Sequence, residues 1–194
     1  MNKFQFFRSY NGNRRVYDSF DRANNASSLG NADTGQAWIN SLVLGNPLGI
    51  NGNAAYSASA VDCTAVVDCV SSDGALSIVV GAFADNMGIT FRYSDNSNYV
   101  YAVVSNSVSK FYITGKLSGT VFGGSSAAGY YISGVTLAAG DTLKIVMSGT
   151  SVTVYVNGAS KGTLTITQNS TNKKHGIKIN GTTARINSFE FVPA

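Results

Sequence analysis

One glutamate, one histidine and two cysteines are the scarce chemical assets of this 194-residue chain. Acid–base hydrolysis by paired carboxylates needs two acids close together, one to give a proton and one to attack or to activate water. Glu190 has no acid two or four residues away. Asp18 and Asp21 are three apart and do not share a strand face. Asp62 and Asp68 do share one, but six residues of straight strand set them about 20 Å apart. His175, between Lys174 and Gly176, has no nucleophile beside it, so a Ser-His-Asp or Cys-His arrangement would have to be built around it from elsewhere. It reads as a turn residue ahead of the strand GIKIN. The chain is therefore expected not to be an enzyme. Cys63 and Cys69, in VDCTAVVDCV, have equal parity and the same wide spacing, against the roughly 4.4–6.8 Å between Cα atoms that a disulfide needs. They read as buried thiols beside Ala65 and Val67. Metal and redox pairs usually sit much closer in sequence.

Binding chemistry is better supplied than catalysis. Asp95, Asn96 and Asn98, or Asp33 with Asn31, offer oxygens of the kind that hold calcium. The same residues are the ordinary material of hairpin loops, and we read them as turns, expecting no cofactor. Aromatic rings that could stack on a flat apolar surface are Trp38, Tyr93, Tyr99, Tyr101, Tyr130 and Tyr131, with Arg92, Asp95 and Asn98 as polar companions. Alternation in YVYAVV puts Tyr99, Tyr101 and Val103 on one face, which also reads as plain sheet packing. Tyr130 and Tyr131 are consecutive and point to opposite faces, so one ring is expected at the surface. The GGSSAAG loop is followed by no lysine and no helix signal, so it is not a phosphate cradle.

The elements that must carry these residues are strands. Charged residues make up 12% of the chain, about half the usual ~25%. A single glutamate argues against long exposed helices. VYDSF, AWINSLVL, DCTAVVDCV, ALSIVVGAF, GITFRYS, NYVYAVVS, KFYITGKL, YYISGVTL, TLKIVMSG, SVTVYVNG, GTLTITQ, GIKIN and ARINSFEFV are strand candidates. They are parted by turn signals such as Asp95–Asn98 and Asn157-Gly158. About a dozen strands at this spacing predict an all-β, antiparallel two-sheet sandwich or jelly roll over residues 16–194.

Residues 1–15 stand apart. Lys3, Arg8, Arg14 and Arg15 carry the whole net charge of +4, because the other ten basic and ten acidic residues cancel. Phe4, Phe6, Phe7 and Tyr10 lie among them. This short extended arm is expected to dock on a partner or on the domain through Phe4, Phe6, Phe7, Arg8, Tyr10, Arg14 and Arg15. A neutral domain lacks the basic stripe of a nucleic-acid-binding face. No stretch is long and apolar enough for a membrane-spanning helix, and the N-terminus lacks the apolar run and cleavage site of a signal peptide.

TLKIVMSGTSVTVYVNGASKGTLTIT followed by KHGIKINGTTARINSFEF resembles the second half of a concanavalin A-like, laminin G-like jelly roll, with a final strand that returns to pair near the N-terminus. DSFDRANNASSLGNADTGQAW and ITFRYSDNSNYVYAVV are similar to segments of such domains in bacteriophage virion and bacterial surface proteins. The resemblance spans about residues 16–194. It implies a virion protein, a capsid decoration or a tail or fibre component, made in the host cytoplasm without a signal peptide and anchored to other virion proteins by the arm. Homo-oligomers are expected in that setting, trimers being common in phage appendages. The alternative is a glycan-binding module that recognises a cell-surface polysaccharide.

Overall fold

The computed structural model describes residues 15–43 and 46–194. All regular structure among them is β, in two antiparallel sheets of eight strands each. Numbered along the chain, the first sheet has the order β14 (Ala159–Thr165), β13 (Ser151–Val156), β12 (Thr142–Ser148), β6 (Gly74–Ala82), β16 (Arg185–Pro193), β4 (Ala55–Ser57) and β3 (Leu48–Ile50). β1 (Val16–Asp18) also pairs with β16, so the last strand does return to the first. The second sheet has the order β10 (Thr120–Gly123), β9 (Lys110–Leu117), β8 (Asn98–Ser105), β7 (Met87–Asp95), β15 (Lys174–Ile179), β5 (Cys63–Asp68) and β2 (Ile39–Val43), with β11 (Tyr131–Ser133) on β9. This is the expected jelly-roll sandwich, with sixteen strands in place of about a dozen.

Residue chemistry explains the layers. In β12 and β13, Leu143, Ile145, Met147, Val152 and Val154 are buried while the residues between them are only half-buried. That alternation is the mark of a sheet with one wet face. Asn157 and Gly158 join β13 to β14 with φ of 51° and 79°. Both lie in the left-handed region that a two-residue type I′ hairpin demands, and asparagine and glycine enter it at least cost. Phe20, Phe91, Phe111, Phe189 and Phe191 fill the space between the sheets, each fully buried. Full burial of one such ring contributes about 1.5–3 kcal/mol. Both cysteines are free thiols in this core, as their parity predicts.

The second sheet breaks the alternation. In β8, Val100, Ala102 and Val104 face the core, yet the intervening Tyr99, Tyr101 and Val103 are buried as well. β5, β7 and β15 behave alike: Thr64, Val66, Thr90 and Lys178 face away from the core and are 3% exposed or less. A sheet face turned outward and still buried has side chains rising around it.

Two sequence expectations are corrected in the interior. His175 is a fully buried residue of β15, not a turn residue. Its Nδ1 accepts the backbone N–H of Arg92 at 3.1 Å, and Nε2 lies 2.9 Å from the Ser71 carbonyl. A carbonyl only accepts, so Nε2 carries the proton and the ring is neutral. Burial pulls its pKa down to about 4. Arg92, expected among surface polar groups, is fully buried. It sits in a bulge of β7 with φ of 51°, which turns its side chain inward beside that of Phe91. Its guanidinium pairs with Asp73 at 3.0 Å and donates to the carbonyls of Gly149 and Ile166.

Candidate functional site

The outward face of the second sheet is where the sequence places the most unusual surface chemistry. Alternation along β8 delivers Tyr99 and Tyr101 to this face with ring centroids 4.6 Å apart. Tyr112 of β9 stands opposite Val103, and Tyr131 of β11 stands opposite Tyr112. Across the centre, Gly88 of β7 and Gly176 of β15 occupy outward positions without a side chain. A Cβ on Gly88 would lie 2.2 Å from the carbonyl oxygen of Ala102, and one on Gly176 would lie 2.0 Å from that of Ala65. Only glycine fits there, and the floor between the tyrosines and β5 stays low.

The low floor opens into a hollow of about 230 Å³ lined by Tyr99, Tyr101, Tyr112, Thr114, Val121, Asn86, Asn180, Asp62 and Lys178. Lys178 Nζ donates to Asp62 Oδ1 at 2.6 Å and to the Asn86 carbonyl at 2.8 Å. The ammonium lies 5.3 Å from the centroid of the Tyr101 ring, within reach of its π face. Burial pulls the Lys178 pKa down, and the adjacent Asp62 carboxylate opposes the shift. The Tyr101 and Thr64 hydroxyls bond at 2.9 Å, and Tyr112 donates to Asn86 Oδ1. Burial pushes the hydroxyls of Tyr99, Tyr101 and Tyr112 upward, so all three stay protonated in neutral water. Among the described residues, Asp62 is the one carboxylate lining the hollow, and it is already engaged by Lys178. The arrangement offers flat rings, hydroxyls, amides and one balanced ion pair.

A second, shallower hollow of about 560 Å³ lies on the same face, lined by Ile39, Val66, Tyr93, Lys174 and the β7–β8 hairpin. Val66, Tyr93, Tyr99, Tyr101 and Val103 pack as one cluster that joins the two.

Of the residues singled out from sequence, Tyr93, Tyr99, Tyr101 and Tyr131 come together on this face. Tyr131 is half-buried, with Lys110 Nζ 4.0 Å from its ring centroid. Its neighbour Tyr130 turns the other way, onto Phe122 at 5.9 Å, so the pair does split between faces. Trp38 is elsewhere. It is a core residue, 9% exposed, in contact with Phe20 and Phe189. Its Nε1 donates to buried Asp18 at 2.6 Å. Arg92 is spent in the interior, as above. Asp95 and Asn98 sit at the β7–β8 hairpin, where the carboxylate accepts from the Asn98 amide at 3.0 Å and from the Ser97 N–H at 2.7 Å. Donors already surround that carboxylate, which is the geometry of a turn. Of the arm, Phe4, Phe6, Phe7, Arg8, Tyr10 and Arg14 lie outside the described residues. Arg15 is bound to the domain itself, paired with Glu190 and stacked 4.6 Å over Tyr17.

Sequence reasoning missed Asp62, Asn86, Tyr112 and Lys178. Parity offered a signal for Lys178, since GIKIN sets a lysine between two inward isoleucines.

No protein-family model and no curated protein matches the sequence. Solved structures do match in shape. A carbohydrate-binding module from Bacillus subtilis superposes with a TM-score of 0.59 at 15% identity, over 80% of this chain and 93% of its own. The β-glucanase of Bacillus licheniformis gives 0.51 at 16%, over 95% of this chain and 100% of its own. The calcium-bound exoplasmic/lumenal domain of VIP36 gives 0.55 at 8%, over 93% and 90%. The fold is thus the concanavalin A-like jelly roll that the sequence resembles.

Proposed function

We propose that this chain is a carbohydrate-binding domain that holds a glycan, without cleaving it, against the outward face of its second sheet. The observation that carries the reading is the tyrosine-walled hollow, where rings and hydrogen-bonding groups converge on a face that ordinary sheet packing would leave wet. Sugars present an apolar face and a rim of hydroxyls, and such a lining answers both. The similar shape of a carbohydrate-binding module supports the reading. A β-glucanase shares the shape too, but the lining supports binding: one carboxylate, held by a lysine, suits it better than hydrolysis. Seven strands spaced about 4.8 Å apart give a face roughly 29 Å wide, enough for several sugar units in a chain. This reverses the order of the two expectations from sequence. The virion role rested on the resemblance and the charged arm, whereas the hollow supports the glycan alternative.

The test is a glycan array followed by calorimetric titration of the best hit. Tyr131→Ala and Tyr99→Ala should each weaken binding at least tenfold, about 1.4 kcal/mol, with the far-UV spectrum unchanged. A blank array, or full affinity in both variants, would overturn the reading.

A further inference from the structure

We infer that the hollow, taken as the carbohydrate site proposed above, selects uncharged sugars that present two adjacent hydroxyls, and that the Lys178–Asp62 pair reads them. The ammonium of Lys178 has three N–H donors. Two go to Asp62 Oδ1 and the Asn86 carbonyl, and the third has no nitrogen or oxygen acceptor among the described residues, only the Tyr101 ring with its centroid 5.3 Å away. Asp62 uses Oδ1 for the pair, while its Oδ2 accepts no hydrogen bond there. The two side chains differ in depth: that of Lys178 is 4% exposed and that of Asp62 is 35% exposed. The pair therefore presents one vacant donor below and one vacant acceptor above, side by side. Adjacent hydroxyls on a sugar ring match this, one accepting from Lys178 and the next donating to Asp62 Oδ2. Both bonds are charge-assisted and so stronger than neutral ones.

Charge makes the choice against acidic sugars. Among the described residues, Asp62 and Lys178 are the only charged side chains lining the hollow, and they sum to zero. A uronate entering would find the lysine already answered and the free carboxylate oxygen facing it. Removing its carboxylate from water would then go unrepaid. Of the other cations on this face, Lys116 stands opposite Tyr99, Lys110 beside Tyr131 and Lys174 in the second hollow, and none of them is in the lining of this one.

The experiment uses the full chain, the neutral oligosaccharide that binds best on the array, and the same oligosaccharide oxidised at its primary hydroxyls to the uronate. Wild type should bind the neutral form at least tenfold more tightly. Asp62→Asn keeps the shape but leaves Lys178 with an uncompensated charge, so it should lose affinity for the neutral form and gain it for the uronate. Lys178→Met should weaken both, with a melting curve recorded alongside. Equal or tighter uronate binding by wild type would overturn this inference and leave the carbohydrate reading standing. Unchanged preference in Asp62→Asn would also overturn it. No binding to any glycan would remove the parent reading, and this inference with it.

Discussion

Thr90 lies at the centre of the outward face, opposite Tyr101 on one side and Gly176 on the other. Its hydroxyl is buried and has no hydrogen-bond partner among the described residues. A buried unpaired hydroxyl costs about 1–3 kcal/mol. Thr90→Val keeps the shape and removes the hydroxyl, so it should stabilise the protein by about 1 kcal/mol in urea unfolding, with the same slope. A lower midpoint would reveal a partner for the hydroxyl. Residue-level legibility followed distance along the chain. Parity within one strand put Tyr99 with Tyr101 and split Tyr130 from Tyr131. Lys178 and Asp62 meet across 116 residues, which no local pattern encodes. Trp38 misled because a large ring beside polar residues looks the same whether it lies over a sheet or inside one. Its indole N–H had a buried acceptor in Asp18 that sequence does not show.

Strands and their turns were largely legible, because alternation and Asn-Gly chemistry act over a few residues. β4 and β10 were not singled out, being three and four residues long and too short to show a period. The bulge in β7 was invisible for a different reason. Parity assumes even pleating, and Arg92 breaks it with a positive φ that costs about 1–2 kcal/mol in a non-glycine residue. What offsets that cost is the reach of its guanidinium. It ties β7 to Asp73 before β6, to the β12–β13 turn at Gly149 and to Ile166 after β14. Asp73 in turn accepts the Gly149 N–H at 2.7 Å. Arg92→Ala should therefore destabilise by about 3 kcal/mol, leaving carbonyls and a carboxylate without their donor. A shift of the urea midpoint worth under 1 kcal/mol would show that the clamp is dispensable.

At the scale of the molecule, His175 joins the two sheets. It belongs to the second, while its ring stacks on Phe191 of the first at 4.8 Å. The folded protein keeps it neutral down to about pH 4, whereas a free histidine takes a proton near 6.5. Between those values the unfolded chain binds the extra proton, so stability falls as pH drops from about 6.5 to 4. The loss is on the order of 3 kcal/mol, at 1.36 kcal/mol per pH unit. Asp18, pushed up by burial, runs the other way and favours the folded state as acid is added. Unfolding free energies at pH 7.5 and 4.5 should differ by less in His175→Gln than in wild type, and an equal difference would reject the assignment. The sandwich itself was read correctly from sequence, since layers follow from strand chemistry alone. Cys63 opens β5 and Cys69 follows its last residue. Each thiol is fully enclosed, and burial pushes that of Cys69 upward, away from the thiolate that alkylating reagents attack. Labelling at either position waits for the sandwich to open, so the rate of thiol modification is a clock for opening that the chain carries without any added probe.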